Sequence, residues 1–371
     1  MARRAASGER PSGGGSLSRD HGRRRVKPGR PPDPLPGATP RRLVLGFLLV
    51  VVLGAAGLAG AVFLRGGVVA LQAPSPAVPA YLALAFVLVL ADWTLGALRL
   101  HVLAAPIAPR VRLAACLRAN LANACLAGLT PGQAGGGAAQ LFVLHRAGLP
   151  LAGGVAVASV NFLASAMVLA IAGGAFALAL PESLPGWMGA ALRGALGVFV
   201  AVVAVGTVLL ATGARTGRPP GASPPARRFH RALAAARALL CRVSADVRTM
   251  FRQHPARVAA VLPLSAAVFA AKLATAWAVF RAFQPDGHTA ELLATQVLLA
   301  LALLFAPTPG GAGAAEVSAA AFMASFLPAG ETVAFLAWWR LASLYLPAAV
   351  GGVLLVRTVR SRPLDTREGH A

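Results

Sequence analysis

The stretch LLFAPTPGGAGAAE, from Leu303 to Glu316, lies inside a strongly apolar region and interrupts it. Pro307 and Pro309 cannot continue a helix interior, because proline lacks the N–H and crowds the preceding turn. Gly310, Gly311 and Gly313 permit turn geometry and close approach of another backbone. Glu316 then sets a carboxylate in the apolar run that resumes. A second stretch, LTPGQAGGGAAQ from Leu129 to Gln140, repeats the pattern: Thr130, Pro131 and Gly132, then Gly135 and Gly136 among small residues. A helix broken twice in the same manner, in apolar surroundings, is the feature from which the fold is read.

The surroundings are those of a membrane protein. The chain has 371 residues, 57% of them hydrophobic and only 13% charged, with a mean hydropathy of +0.68. A soluble domain is about 25% charged. Six apolar runs reach the roughly 20 residues that span a bilayer as helix: Leu43–Leu64, Val78–Arg99, Leu151–Leu180, Gly189–Ala211, Arg257–Phe283 and Val333–Val356. The two interrupted regions, Leu113–His145 and Leu292–Leu327, fall between them. Each half of these is too short to span alone, so each reads as a re-entrant hairpin of two half-helices. The expected fold is an all-α polytopic membrane protein with six full spans and two broken-helix hairpins.

The charges order these segments. With a cytoplasmic N-terminus, the inside segments are 1–42, 100–112, 146–150, 213–256 and 357–371, and they hold 27 of the 35 Lys and Arg residues. The outside segments 65–77, 181–188, 284–291 and 328–332 hold one, Arg65. Basic residues concentrate on the cytoplasmic side. The first hairpin then enters from the cytoplasm and the second from outside. Three spans separate them, so the halves 43–180 and 181–356 have opposite orientation. That is the pattern of an inverted repeat, a transporter architecture.

Residues 1–42 are basic and rich in Gly, Pro and Ser, and read as a disordered cytoplasmic tail, as does the short tail 357–371. The net charge of +23 belongs to topology rather than to nucleic acid, and no nucleic-acid partner is expected. Within the loop 213–256, Phe229, Leu233, Ala236, Leu240, Val243, Val247 and Met250 recur at steps of three and four, with arginines opposite. Such a helix lies on the membrane surface or packs on the protein's own spans. Cys116, Cys125 and Cys241 are too few for a disulfide framework, and no metal site or cofactor is expected. The chain has no H-E-x-x-H, P-loop or acidic cluster, so no enzyme chemistry is indicated.

Ionisable residues at membrane depth are expensive and therefore functional candidates. They are Asp92, Arg118, Lys272, Glu316 and Arg340. Glu316 is expected to pair with Lys272 or Arg340. Arg99, Arg193 and Arg281 lie near span ends and are expected to snorkel. Asn120, Asn123 and Asn161 can line a polar path. The half-helices restarting near Gly135 and Gly313 present free N–H groups and a positive dipole end, which suit an anion such as a lipid phosphate.

Three regions, TPGQAGGGAAQLFVLHRAGLPL, APTPGGAGAAE and WWRLASLYLPAAVGGVLL, resemble the flippase-like membrane domain of lysylphosphatidylglycerol synthases over residues 43–357. The resemblance implies movement of a charged lipid between leaflets. It carries over to Pro309, Gly310, Gly311, Gly313, Glu316 and Arg340. The first motif departs from the family at Gly137 and Gln140, where relatives often have Glu and Arg. About 15 residues follow the last span, so the chain is not expected to make the aminoacylated lipid. The expected partners are membrane lipids with anionic head groups. A membrane-embedded transferase, or an accessory subunit of one, is the second reading, and a packing scaffold the third.

Overall fold

Long apolar runs without interior breaks give long helices, and the proline–glycine motifs give short ones. A computed structural model describes residues 40–64, 78–179, 185–212, 243–284, 287–324 and 326–360. Helix α1 is Pro40–Leu64, α2 Val78–Ala104, α3 Leu113–Leu129, α4 Gly135–Arg146, α5 Leu151–Leu178 and α6 Gly186–Thr212. Residues 243–253 form α7. Then follow α8 Pro255–Phe283, α9 Thr289–Leu303, α10 Ala314–Met323, α11 Ala329–Arg340 and α12 Leu346–Arg360. A π-helical turn, Leu341–Tyr345, joins the last two into one rod. Among the described residues, six helices are long and apolar enough to cross a membrane, the last being Ala329–Arg360. The chain is a multi-pass membrane protein.

The π-turn has a local cause. Pro347 has no N–H to donate to the carbonyl one turn back, so a regular helix would leave an orphan there. The backbone widens instead, and Leu346 N–H donates to the Leu341 carbonyl, five residues away. Wide turns of this kind frequently mark functional sites.

Helices α2 and α8 form an antiparallel central pair. Tyr81 meets Trp277 edge-on near one end, Lys272 meets Asp92 in the middle, and Arg99 meets Ser265 near the other end. Two apolar clusters flank the pair. One gathers Phe280, Leu292, Met323 and Phe335 with Met188 and Leu192 of α6. The other gathers Leu100, Leu103, Phe142, Leu144 and Val157 around α3 and α4. Cys116 and Cys125 are both buried and free, because α3 is covered on more than one side. Large apolar side chains such as Leu45, Val52, Phe86, Ile171 and Val205 remain exposed on the outer faces. Outward apolar surface of this extent suits lipid contact.

Of the amphipathic stripe expected between Phe229 and Met250, only Val243, Val247 and Met250 fall within the described residues. Val243 and Met250 are buried, and Val247 packs with Met250 against the second cluster. Arg248 and Arg252 are exposed. This part of the stripe packs on the protein's own helices. The expected tail 1–42 up to residue 39 and loop residues 213–242 lie outside the described residues.

The two breaks adopt one conformation. Gly132 and Gly310 have φ of 56° and 59°, and Gln133 and Gly311 have φ of 58° and 66°. In each break the third residue after Thr donates to the Thr carbonyl: Gln133 to Thr130 and Gly311 to Thr308. The breaks also touch. Pro131 and Pro309 pair in an isolated antiparallel bridge, and Gly132 N–H donates to the Ala306 carbonyl at 3.1 Å.

Candidate functional site

A carboxylate three positions into a helix can fold back onto the N-terminal amides. Glu316 does this: its Oε2 accepts from Gly313 N–H at 2.7 Å. Its Oε1 accepts from Arg340 Nε at 2.7 Å, and Oε2 also accepts from Arg340 Nη2 at 3.3 Å. Arg340 Nη2 further donates to the Gly311 carbonyl at 3.2 Å. The side chains are 2% and 5% exposed, and the guanidinium lies over the Trp339 ring. Of the two partners expected for Glu316, the fold selects Arg340. The pair clasps the second break to the last span.

The first break is held differently. Thr130 Oγ1 donates to the Leu126 carbonyl at 2.7 Å and accepts from Gly135 N–H at 2.8 Å. Gly136 N–H donates to the Gln133 carbonyl. The amides of Gly135 and Gly313 are thus engaged inside their own hairpins. The free N–H groups expected at the two half-helix starts are occupied, Gly135 by the Thr130 hydroxyl and Gly313 by the Glu316 carboxylate.

Beside the meeting point of the breaks is a cavity of about 980 Å³. Its wall includes Gly132, Gln133 and Gly137 of the first break region and Gly310 of the second. Polar side chains from several helices line it: Asp92 and Arg99 of α2, Asn120 and Asn123 of α3, and Gln140 of α4. Asn161 and Ser165 of α5, Lys272 of α8, Gln296 of α9 and Arg340 line it as well, with Ser159, Thr207, Thr275 and Ser343. Lys272 Nζ lies 2.9 Å from Asp92 Oδ2, with its side chain 58% exposed to the space. Asn123 Nδ2 donates to Gln140 Oε1 at 2.9 Å.

Arg99 corrects the expectation that it snorkels. It is 8% exposed, and its Nη1 donates to Ser165 Oγ at 2.7 Å and Ser265 Oγ at 3.0 Å. The reason is that α2 continues to Ala104, which places Arg99 inside the bundle instead of at a span end. Its spacing from Asp92 and Gly96, seven and three residues, sets all three on one helix face, and that signal was available in the sequence. Arg118 does not join the cavity: it is exposed on α3, and its Nε donates to the Ala114 carbonyl. Arg193 is exposed, and Arg281 donates to Thr289 Oγ1 while lying over the Trp277 ring. Thr130, Pro131, Gly135, Gly136, Gly311 and Gly313 shape the breaks without lining the cavity.

A second space, about 710 Å³, lies among α5, α6, α7 and α8. Its walls are apolar, including Met167, Phe199, Phe251 and Leu262. Leu163 and Val203 line both this groove and the polar cavity.

The family model described as the lysylphosphatidylglycerol synthase TM region matches residues 43–351. The chain belongs to this family. The match spans the α1–α12 assembly except Pro40–Arg42 and residues 352–360, and it includes both breaks, the Glu316–Arg340 pair and every residue named above on the cavity wall. No curated protein and no solved structure matches the chain. For a member of the lysylphosphatidylglycerol synthase TM region family, Gly137 leaves the cavity wall open: a Cβ built there meets nothing within 4 Å.

Proposed function

We propose that this protein translocates a charged lipid between the leaflets of a bacterial cytoplasmic membrane. The observation that carries the reading is that two unlike spaces lie side by side and share part of a wall. A cavity lined by charged and amide side chains shares Leu163 and Val203 with an apolar groove. A lipid has the same two parts, a polar head and an apolar tail. Irregular backbone at membrane depth is tolerated where it is buried in protein or lines a cavity, and both breaks lie at this one. The like conformations of the breaks and their antiparallel bridge support an inverted repeat with the cavity between its halves, as in other transporters.

Charge asymmetry supports cytoplasmic termini. The protein acts as a carrier without catalysis, and the head group it takes is anionic. The test is reconstitution into vesicles containing a fluorescent phosphatidylglycerol, with a membrane-impermeant quencher added outside. Translocation lets the quencher reach nearly all the label. Quenching that stops at the outer-leaflet fraction, as in protein-free vesicles, overturns the reading.

A further inference from the structure

Every wall residue of the groove among α5, α6, α7 and α8 is apolar. The groove opens outward: Met167, Val200 and Phe251, one each from α5, α6 and α7, line it and are about half exposed. Its length follows from the packing of α5 on α8. Val157 and Val160 share a cluster with Val261, and Leu169 and Phe176 share the other with Leu273 and Phe280, so the two helices run parallel. Arg99 bonds both Ser165 and Ser265, which sets those two at one level. Pro255 precedes Ser265 by ten residues and Ala170 follows Ser165 by five. At 1.5 Å per residue the walls extend over about 22 Å. One leaflet is about as deep, roughly 20–22 Å from head groups to bilayer centre.

Cations crowd one end of this groove. Met250 of α7 packs with Val111 and Ala147, so α7 sits at the end of the bundle that bears Arg110, Arg112 and Arg146. Arg248 and Arg252 of α7 and Arg257 of α8 are exposed. None has a carboxylate within 4 Å among the described residues. Asp246, the one acid of α7, is two residues from Arg248, and residues at that spacing do not face each other. Arg248 and Arg252 are four apart and lie on one side of the helix, where like charges repel. Phe251, on the groove wall, is three residues from Arg248 and shares that side. Arg257 stands in sequence between two wall residues, Pro255 and Val258. An anion at this end would relieve the repulsion.

We propose that the groove is a docking site for one anionic phospholipid from the leaflet on the basic side, with an acyl chain along the groove and the head group at Arg248, Arg252 and Arg257. The depth of the groove decides between occupants. A helix of a second copy would cross both leaflets, whereas these walls end after one, as an acyl chain does. The charge decides the head group, since basic residues at a membrane surface favour anionic lipids. The site lies outside the polar cavity and away from both breaks. It holds a resident lipid against α7, and it stands without the translocation reading above. The helix α7 is thereby fixed from two sides, by Val243 and Met250 inside the bundle and by the lipid at Phe251.

The experiment titrates the full chain in detergent with phosphatidylglycerol, or with phosphatidylcholine of the same chains, and counts bound lipids by native mass spectrometry. The wild type is expected to take up phosphatidylglycerol in preference. The triple variant Arg248→Gln, Arg252→Gln and Arg257→Gln should bind one phosphatidylglycerol fewer at the concentration that saturates the wild type. It should need at least about tenfold more to recover that lipid, since each basic residue near a lipid surface contributes about fivefold. Ala259→Phe, exposed on the groove wall, should lose the same lipid by filling its space. A triple variant that matches the wild type at every concentration overturns the site. Loss in the triple variant with none in a folded Ala259→Phe protein also overturns it, because the arginines then act without the groove. Equal uptake of both lipids by the wild type overturns it whether or not either variant folds. Loss of this lipid from both variants, in a protein that moves no lipid in vesicles, keeps the site and removes translocation.

Discussion

Arg340 Nε stands 2.7 Å from Glu316 Oε1, and the same guanidinium reaches the carbonyls of Gly310 and Gly311. One side chain thus holds the carboxylate and the broken backbone together. Breaking a buried pair from one side costs about 3–5 kcal/mol, because the remaining charge is stranded. Glu316→Gln and Arg340→Gln are each expected to lower the Tm in detergent and to lose translocation. A double change to a neutral, volume-matched pair, Glu316→Gln with Arg340→Met, is expected to recover stability but not translocation. Recovery of both would make the pair a structural clasp alone.

The Asp92–Lys272 pair behaves oppositely. More than half of the Lys272 side chain is exposed to the cavity, and ion pairs in solvated surroundings contribute about 0–1 kcal/mol. Lys272→Gln is expected to leave thermal stability within about 1 kcal/mol of wild type while slowing the translocation of phosphatidylglycerol. An unchanged rate at unchanged stability would remove Lys272 from the transport path.

Backbone geometry fixes another outcome. Gly310 has φ of +59°, and a Cβ there would sit 2.6 Å from the Gly128 carbonyl oxygen. Gly310→Ala combines left-handed strain with a clash against backbone, and should destabilise by roughly 2–4 kcal/mol. Gly137→Ala meets open space inside α4 and should be neutral or stabilising by about 0.5–1 kcal/mol. Unfolding curves that rank the two in the reverse order would contradict the shape of the breaks.

Topology is tested by labelling. Single cysteines replacing Gly186 or Ala329, in a chain with Cys241→Ser, should react with an impermeant maleimide added to intact cells. Cysteines replacing Pro109 or Gln253 should react only after lysis. Reaction of Gln253→Cys in intact cells would reverse the orientation derived from the arginines.

The spans, the breaks and Glu316–Arg340 were legible because each rests on local chemistry. Apolar length gives the spans, proline and glycine give the breaks, and a carboxylate just inside a restarted helix demands a partner. The partner of Lys272 was open, since it depends on which helices lie side by side. The antiparallel contact of α2 with α8 brings Asp92 to it. Arg99 was misplaced because a helix end was set five residues short, and with it a cation moved from the membrane surface to the interior. Gln296 carried no signal of its own, and Gln140 carried only its departure from the family's first motif. An amide in a helix is read as functional only when the walls of a cavity are known.

The bridge between Pro131 and Pro309 bears on how firmly the two breaks are joined. Neither proline has an N–H, so the bonds across the contact come from neighbouring residues, as the one from Gly132 to Ala306 does. Such a bond is worth about 1 kcal/mol net, about a fivefold bias in population. Thermal agitation is enough to unfasten it. The two breaks are thus tied to each other only lightly, and the Asp92–Lys272 and Arg99–Ser265 contacts of α2 with α8 carry the register between the same two parts of the chain.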